Sequence, residues 1–205
     1  QSIIDVGYQP ASFGILFFVG IYFYLLDRIF LSVLFICLGA SFHPTYVLHS
    51  GFLISGILIY YLTSKNYSLF LKTLFSYIIL ILPITIFIII NFMFVDENLT
   101  TIGQNILFER IKHHADIHQW LSYKDGIFLL TYFISLYLTK HNRRFFISFF
   151  IFGFCSIFLS TLQYFIENTS LALAFPWRSS VFLAPISSVI ILSYLIQKLR
   201  LNVDK

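Results

Sequence analysis

Apolar residues fill long runs of this chain, and polar positions separate them at intervals that fit membrane-crossing helices. The runs 44–62, 68–94, 144–166 and 179–197 meet the roughly 17 to 25 apolar residues that a helix needs to cross a bilayer. Residues 125–139 form a shorter but uninterrupted run, while 12–26 and 29–42 are marginal and separated by Asp27-Arg28. The pattern predicts an all-α fold, a polytopic transmembrane helical bundle of about seven membrane segments. Its first two segments are short, either a hairpin of two helices or one long kinked helix. One loop of about 30 residues, 95–124, interrupts the series. Proline punctuation fits: Pro44 opens a helix where a missing N–H costs nothing, Pro83 predicts a kink, and Pro176 breaks the chain before the last segment. Gly51, Ser55 and Gly56 give one small face for close helix contact. Without internal repeats or composition shifts, residues 1–205 read as a single integral membrane domain. The opening at Gln1 has neither Met nor a signal-like segment, so the chain reads as the C-terminal part of a longer protein.

Composition sharpens this picture. The chain is 59% hydrophobic and 11% charged, where soluble domains carry about 25% charged residues. Counted over seven segments, one side holds nine basic residues: Arg28, Lys65, Lys72, Lys140, Arg143, Arg144, Lys198, Arg200 and Lys205. The other side holds four, Arg110, Lys112, Lys124 and Arg178, together with most of the acidic residues. The positive-inside rule then predicts a multi-pass protein of the cell membrane, with loop 95–124 outside and the C-terminus cytoplasmic. A net charge of +4 set in those gaps points to membrane lipid as a contact, not to nucleic acid. There is no Gly-rich phosphate loop, hence no nucleotide site. No Asp, Glu, Lys or Arg falls deep inside a span, which counts against an ion-coupled transporter. Cys37 and Cys155 lie in apolar runs and read as small buried side chains.

Three polar motifs fall on the predicted outer face: Phe42-His43-Pro44-Thr45-Tyr46, the stretch 108–118, and Phe175-Pro176-Trp177-Arg178. His114 and His118 stand four apart, a spacing used by two-histidine zinc sites. The zinc-protease pattern needs Glu after the first His, and Ala115 stands there, so no metal site is predicted. No cofactor is predicted either, with a divalent cation left open. Arg110, Lys112, His113 and His114 form a cluster suited to phosphate or pyrophosphate, against the alternative of a solvated polar loop. His43 begins a helix, whose positive end favours an anion, or it simply caps that helix. Trp177 reads as an interfacial anchor. Arg178 reads as functional, against the alternative that it snorkels to headgroups.

The His43-Pro44 helix start, Arg110-x-x-His113-His114 followed by Trp120, and Pro176-Trp177-Arg178 extend over most of the chain. In these motifs it resembles uncharacterised bacterial multi-pass proteins distantly similar to the GT-C glycosyltransferases. The resemblance implies transfer from a lipid-phosphate-linked sugar at the outer face of the membrane. His43, Arg110, His113, His114 and Arg178 would bind substrate. The acid that such enzymes use as base or metal ligand would lie upstream of Gln1, and Asp5 is a poor substitute. No catalytic residue is therefore assigned, with His113 and His114 the weak candidates. Two alternatives remain: a channel or flippase for a lipid-linked or anionic solute, and a non-catalytic subunit of an envelope-assembly complex.

Overall fold

In hydrocarbon every backbone N–H and C=O must find its partner inside the segment or barrel it belongs to, and helices meet that demand locally. A computed structural model describes residues 14–93, 102, 103, 106, 109, 123–166, 171, 172 and 174–203. Seven helices are described: α1 (Ile15–Leu25), α2 (Ile29–Ser41), α3 (Thr45–Thr63), α4 (Tyr67–Ile88), α5 (Tyr123–Thr139), α6 (Arg143–Ile166) and α7 (Ser180–Val203). A π-helical turn, Ile89–Met93, extends α4, and a 3₁₀ turn, Pro176–Ser179, leads into α7. Among the described residues there is no strand. The predicted segments correspond one for one to these helices. Most of loop 95–124 lies outside the described residues, and with it Arg110, Lys112, His113, His114 and His118.

Residues 15–41 form two helices packed on one another, so the hairpin is the arrangement found. The reversal uses Asp27 in the left-handed region (φ 61°). The Arg28 N–H donates to the Phe23 carbonyl at 2.9 Å and the Asp27 N–H to that of Tyr24 at 3.1 Å. This is the bonding pattern of a helix stop that usually recruits Gly. The α3–α4 turn repeats it with Lys65 (φ 56°) and Asn66 N–H to Tyr61 O at 2.9 Å. Asn66 then caps α4 by accepting from the Leu69 N–H at 3.2 Å, which gives it a structural role.

Thr45–Thr63, Tyr67–Asn91, Arg143–Ile166 and Pro176–Leu199 are long and apolar enough to cross a membrane. At 11 and 13 residues, α1 and α2 rise only about 16 and 20 Å, against a hydrocarbon core of about 30 Å. Helix α4 leaves Phe75, Ile79 and Phe87 more than half exposed, as a lipid-facing helix does. Pro83 lies within α4, and α4 continues past it as helix.

Helix α3 is central, packed on α6 on one side and on α2 and α4 on the other, while α7 packs on α5. The ring of Phe182, 1% exposed, joins α7 to three other helices. It lies 4.8 Å from Phe17, 5.4 Å from Tyr46 and 6.2 Å from Phe152. At one end of the bundle Arg144 ties α6 to α1 and α3. It pairs with Asp27 at 2.5 Å, donates to the Tyr24 carbonyl and to Tyr61 Oη (3.3 Å), and lies over the Tyr24 ring. The chain breaks at 26–28, 64–66 and 140–142 therefore share this end, and those at 42–44 and 174–179 share the other.

Of the small face expected on α3, only Gly56 serves close packing. A Cβ there would sit 2.6 Å from the Ser148 carbonyl of α6, whereas one at Gly51 would meet nothing nearer than 3.7 Å, and Ser55 is exposed. Overpacking against a backbone costs about 1–3 kcal/mol. Gly56→Ala is therefore expected to lower the thermal midpoint of the detergent-solubilised protein, and Gly51→Ala to leave it unchanged. Equal effects from the two would contradict the packing described.

Candidate functional site

The end opposite Arg144 is shaped by a strained residue. Phe175 adopts the left-handed conformation (φ 49°, ψ 54°), which costs a bulky side chain roughly 1–2 kcal/mol. The turn holds because the Phe175 N–H donates to the Ala172 carbonyl and the Phe175 carbonyl accepts from the Arg178 N–H, both at 3.0 Å. Its result is to fold Arg178 back over the Phe175 ring, 4.2 Å from the centroid. This is a cation–π contact on a partly buried guanidinium. From there Nη1 reaches across to the start of α3 and donates to Thr45 Oγ1 through a long hydrogen bond of 3.5 Å. Among the described residues no carboxylate lies within ion-pair distance of Arg178, and the recorded ion pair joins Arg144 to Asp27.

The hydrogen bonds around Thr45 fix the tautomer of His43. The Thr45 backbone N–H points at His43 Nδ1 at 3.3 Å. A backbone N–H can only donate, so Nδ1 is the accepting nitrogen. The Thr45 hydroxyl, 2.8 Å from the same atom, then donates its single proton to Nδ1. Its lone pairs face Arg178. The neutral ring must carry its proton on Nε2. A directed chain follows, Arg178 to Thr45 to His43, and its free valences are N–H donors at both ends. Burial, and after it the positive charge of Arg178, hold His43 below its ordinary value of 6.5, which keeps the ring neutral at pH 7.

The free N–H groups expected at the start of α3 are engaged within the turn itself. Thr45 donates to His43 Nδ1, Tyr46 to the His43 carbonyl (2.9 Å) and Val47 to the Pro44 carbonyl (3.1 Å). His43 thus accepts from the first N–H of α3, and the positive end of the helix dipole lies at this turn.

The structure thus brings His43 and Arg178 together through Thr45. Arg110, His113 and His114 lie outside the described residues. Thr45 itself had drawn no functional assignment, although a hydroxyl two residues after a helix-capping His was a legible signal. His49 is a second such residue. It is fully buried, and its Nδ1–H donates to the Thr45 carbonyl at 2.8 Å, which fixes Thr45 from behind. Tyr46, also buried, packs against Phe17 and Phe182 and anchors the same turn. Among the described residues no group of three or more His, Cys, Asp or Glu side chains is placed to hold a metal ion. Comparison with protein families, curated proteins and solved structures finds no match to this chain.

A depressed native value sets the sign of the pH dependence. As pH falls through 6.5 the unfolded chain takes up a proton on His43 before the folded one does. The stability tied to neutral His43 is therefore present above that pH and lost as pH falls through the folded value. In an NMR titration His43 is expected to titrate below 6.5 in the native protein and to move upward in Arg178→Gln. An unchanged titration in that variant would show that Arg178 does not act on the ring.

Proposed function

We propose that this membrane-embedded chain holds the phosphate of a lipid-phosphate-linked sugar between Arg178 and His43, and that it serves sugar transfer of the GT-C kind. The observation that carries the reading is a partly buried arginine with no carboxylate in reach among the described residues, joined through Thr45 to a half-buried histidine whose Nδ1 is engaged by Thr45. A guanidinium and an imidazole N–H present donors only, which suits phosphate oxygens. Fixed positive charge at a leaving phosphate is also the form of stabilisation that glycosyl transfer needs. Arg110, His113 and His114 of loop 95–124 are assigned to the same phosphate. In this reading the Arg178 end faces the outside of the cell membrane. The basic residues gathered near Arg144 at the opposite end support that orientation.

A second reading, a flippase or channel for the same lipid-linked anion, draws on one observation. The site around His43, Thr45 and Arg178 contains no carboxylate among the described residues that could act as a base.

The two separate in one experiment. Charge-assisted hydrogen bonds contribute about 1.5–3 kcal/mol, or roughly tenfold to a hundredfold in affinity. Arg178→Ala and His43→Ala are expected to weaken binding of a polyprenyl-phosphate sugar to the full-length protein in nanodiscs by about tenfold or more, and to reduce surface glycan in cells. Unchanged binding at normal expression would contradict the phosphate site. Weakened binding with lost solute flux in proteoliposomes and unaltered glycan linkage would select the second reading.

A further inference from the structure

The two arginines measure the thickness of the bundle. Arg178 is held at Thr45, the first residue of α3, and Arg144 at Tyr61, near its end. At about 1.5 Å per residue these two points lie about 24 Å apart along one helix. Helix α2 gives an independent measure. It rises about 20 Å between the turn of Asp27, which pairs with Arg144, and that of His43, which accepts from Thr45. A hydrocarbon core of about 30 Å is thicker than either span.

The shortfall falls at the Arg178 end. At the opposite end Arg28, Lys65, Lys140 and Arg143 are all exposed and mark the boundary there. Helices α4 and α6 instead run on past the level of Thr45. Ser50 Oγ lies 2.9 Å from Tyr77 Oη, so α4, antiparallel to α3, passes Thr45 near Leu82. From there to Asn91 it continues for about 13 Å. The Ser148 backbone lies against Gly56, so α6 passes Thr45 near Leu159 and continues for about 10 Å to Ile166. Both extensions are apolar and open, with Phe87 of α4 53% exposed and Phe165 of α6 76% exposed. A flat boundary at Thr45 would leave these extensions in water, and a flat boundary at their tips would submerge Arg178. The guanidinium does not snorkel outward, because it is folded over the Phe175 ring and directed at Thr45.

We infer that the bilayer meets this end of the bundle at two heights. Hydrocarbon reaches the tips of α4 and α6, while over the turns 41–45 and 175–178 it is drawn in by about 6 Å or more. The notch is filled by phosphate headgroups of the surrounding leaflet, whose oxygens complement Arg178 while their chains stay in hydrocarbon. A lipid phosphate then reaches Arg178 by moving sideways within the leaflet. The inference rests on helix register and on the charge of Arg178, and it holds whether or not the lipid carries a sugar.

The test compares two positions at one height. A bimane fluorophore is placed singly at Ser41→Cys, exposed at the end of α2, or at Leu82→Cys, half-exposed on α4. The full-length protein carries Cys37→Ala and Cys155→Ala and sits in phospholipid bilayers. Quenching by a lipid with a nitroxide on its headgroup is compared with quenching by a lipid labelled mid-chain. The headgroup quencher is expected to act more strongly at position 41, and the mid-chain quencher at position 82. Arg178→Met should shift position 41 towards mid-chain quenching and leave position 82 unchanged, which also reports that the bundle is intact. The same preference at both positions would overturn the inference. So would quenching at position 41 by aqueous iodide but by neither lipid, the mark of a pocket closed to headgroups. A notch in a protein that does not bind polyprenyl-phosphate sugar would support this inference and remove the proposed function.

Discussion

A charge in hydrocarbon must be neutralised, hydrogen-bonded or moved to the boundary. In this chain that requirement sorts two arginines at opposite ends of the bundle into different kinds. Arg144 has its demands met within the protein by a carboxylate, a backbone carbonyl, a phenol and an aromatic face. It links α1, α3 and α6. Arg178 has an aromatic face and one long hydrogen bond to a hydroxyl. Replacing Arg144 would loosen three helices. Arg178 contributes less to packing, and the proposed phosphate site draws on its remaining N–H groups.

The local architecture around Arg178 explains how such a side chain is held ready. Phe175 accepts an unfavourable backbone conformation, and the turn it creates sets Arg178 above the ring. Thr45 joins Arg178 to His43, while His49 holds the Thr45 carbonyl from within the core. Phe182 and Tyr46 pack behind that assembly. Strain at the turn is thereby offset by aromatic packing and hydrogen bonds on both flanking helices. The same turn also lines, through Trp177 and Ser179, a separate cleft between α5, α6 and the start of α7.

Much of the architecture was legible in the sequence, because hydrocarbon imposes length and polarity on each segment directly. Spans such as 144–166 and 44–62 sit within a residue or so of α6 and α3. The alternation of polar gaps was legible for the same reason, as was the pairing of the His43 and Pro176 motifs at one end. Geometry at the scale of single hydrogen bonds was not. Nothing in the order of residues announces that Phe175 turns left-handed, or that Thr45 bridges Arg178 to His43. The use of Gly56 but not Gly51 for close contact depends on where the Ser148 backbone lies. The choice between hairpin and kinked helix at 26–28 rested on one residue, Asp27, adopting a conformation more common for Gly.

The direction of the hydrogen-bond chain is the point on which the donor character of the site turns, and nitrogen-15 NMR of the His43 imidazole in lipid bilayers reads it directly. At neutral pH the account predicts a neutral ring protonated on Nε2, with Nδ1 shifting on Thr45→Val as the hydroxyl donor is lost. A ring protonated on Nδ1, or one indifferent to Thr45→Val, would contradict it.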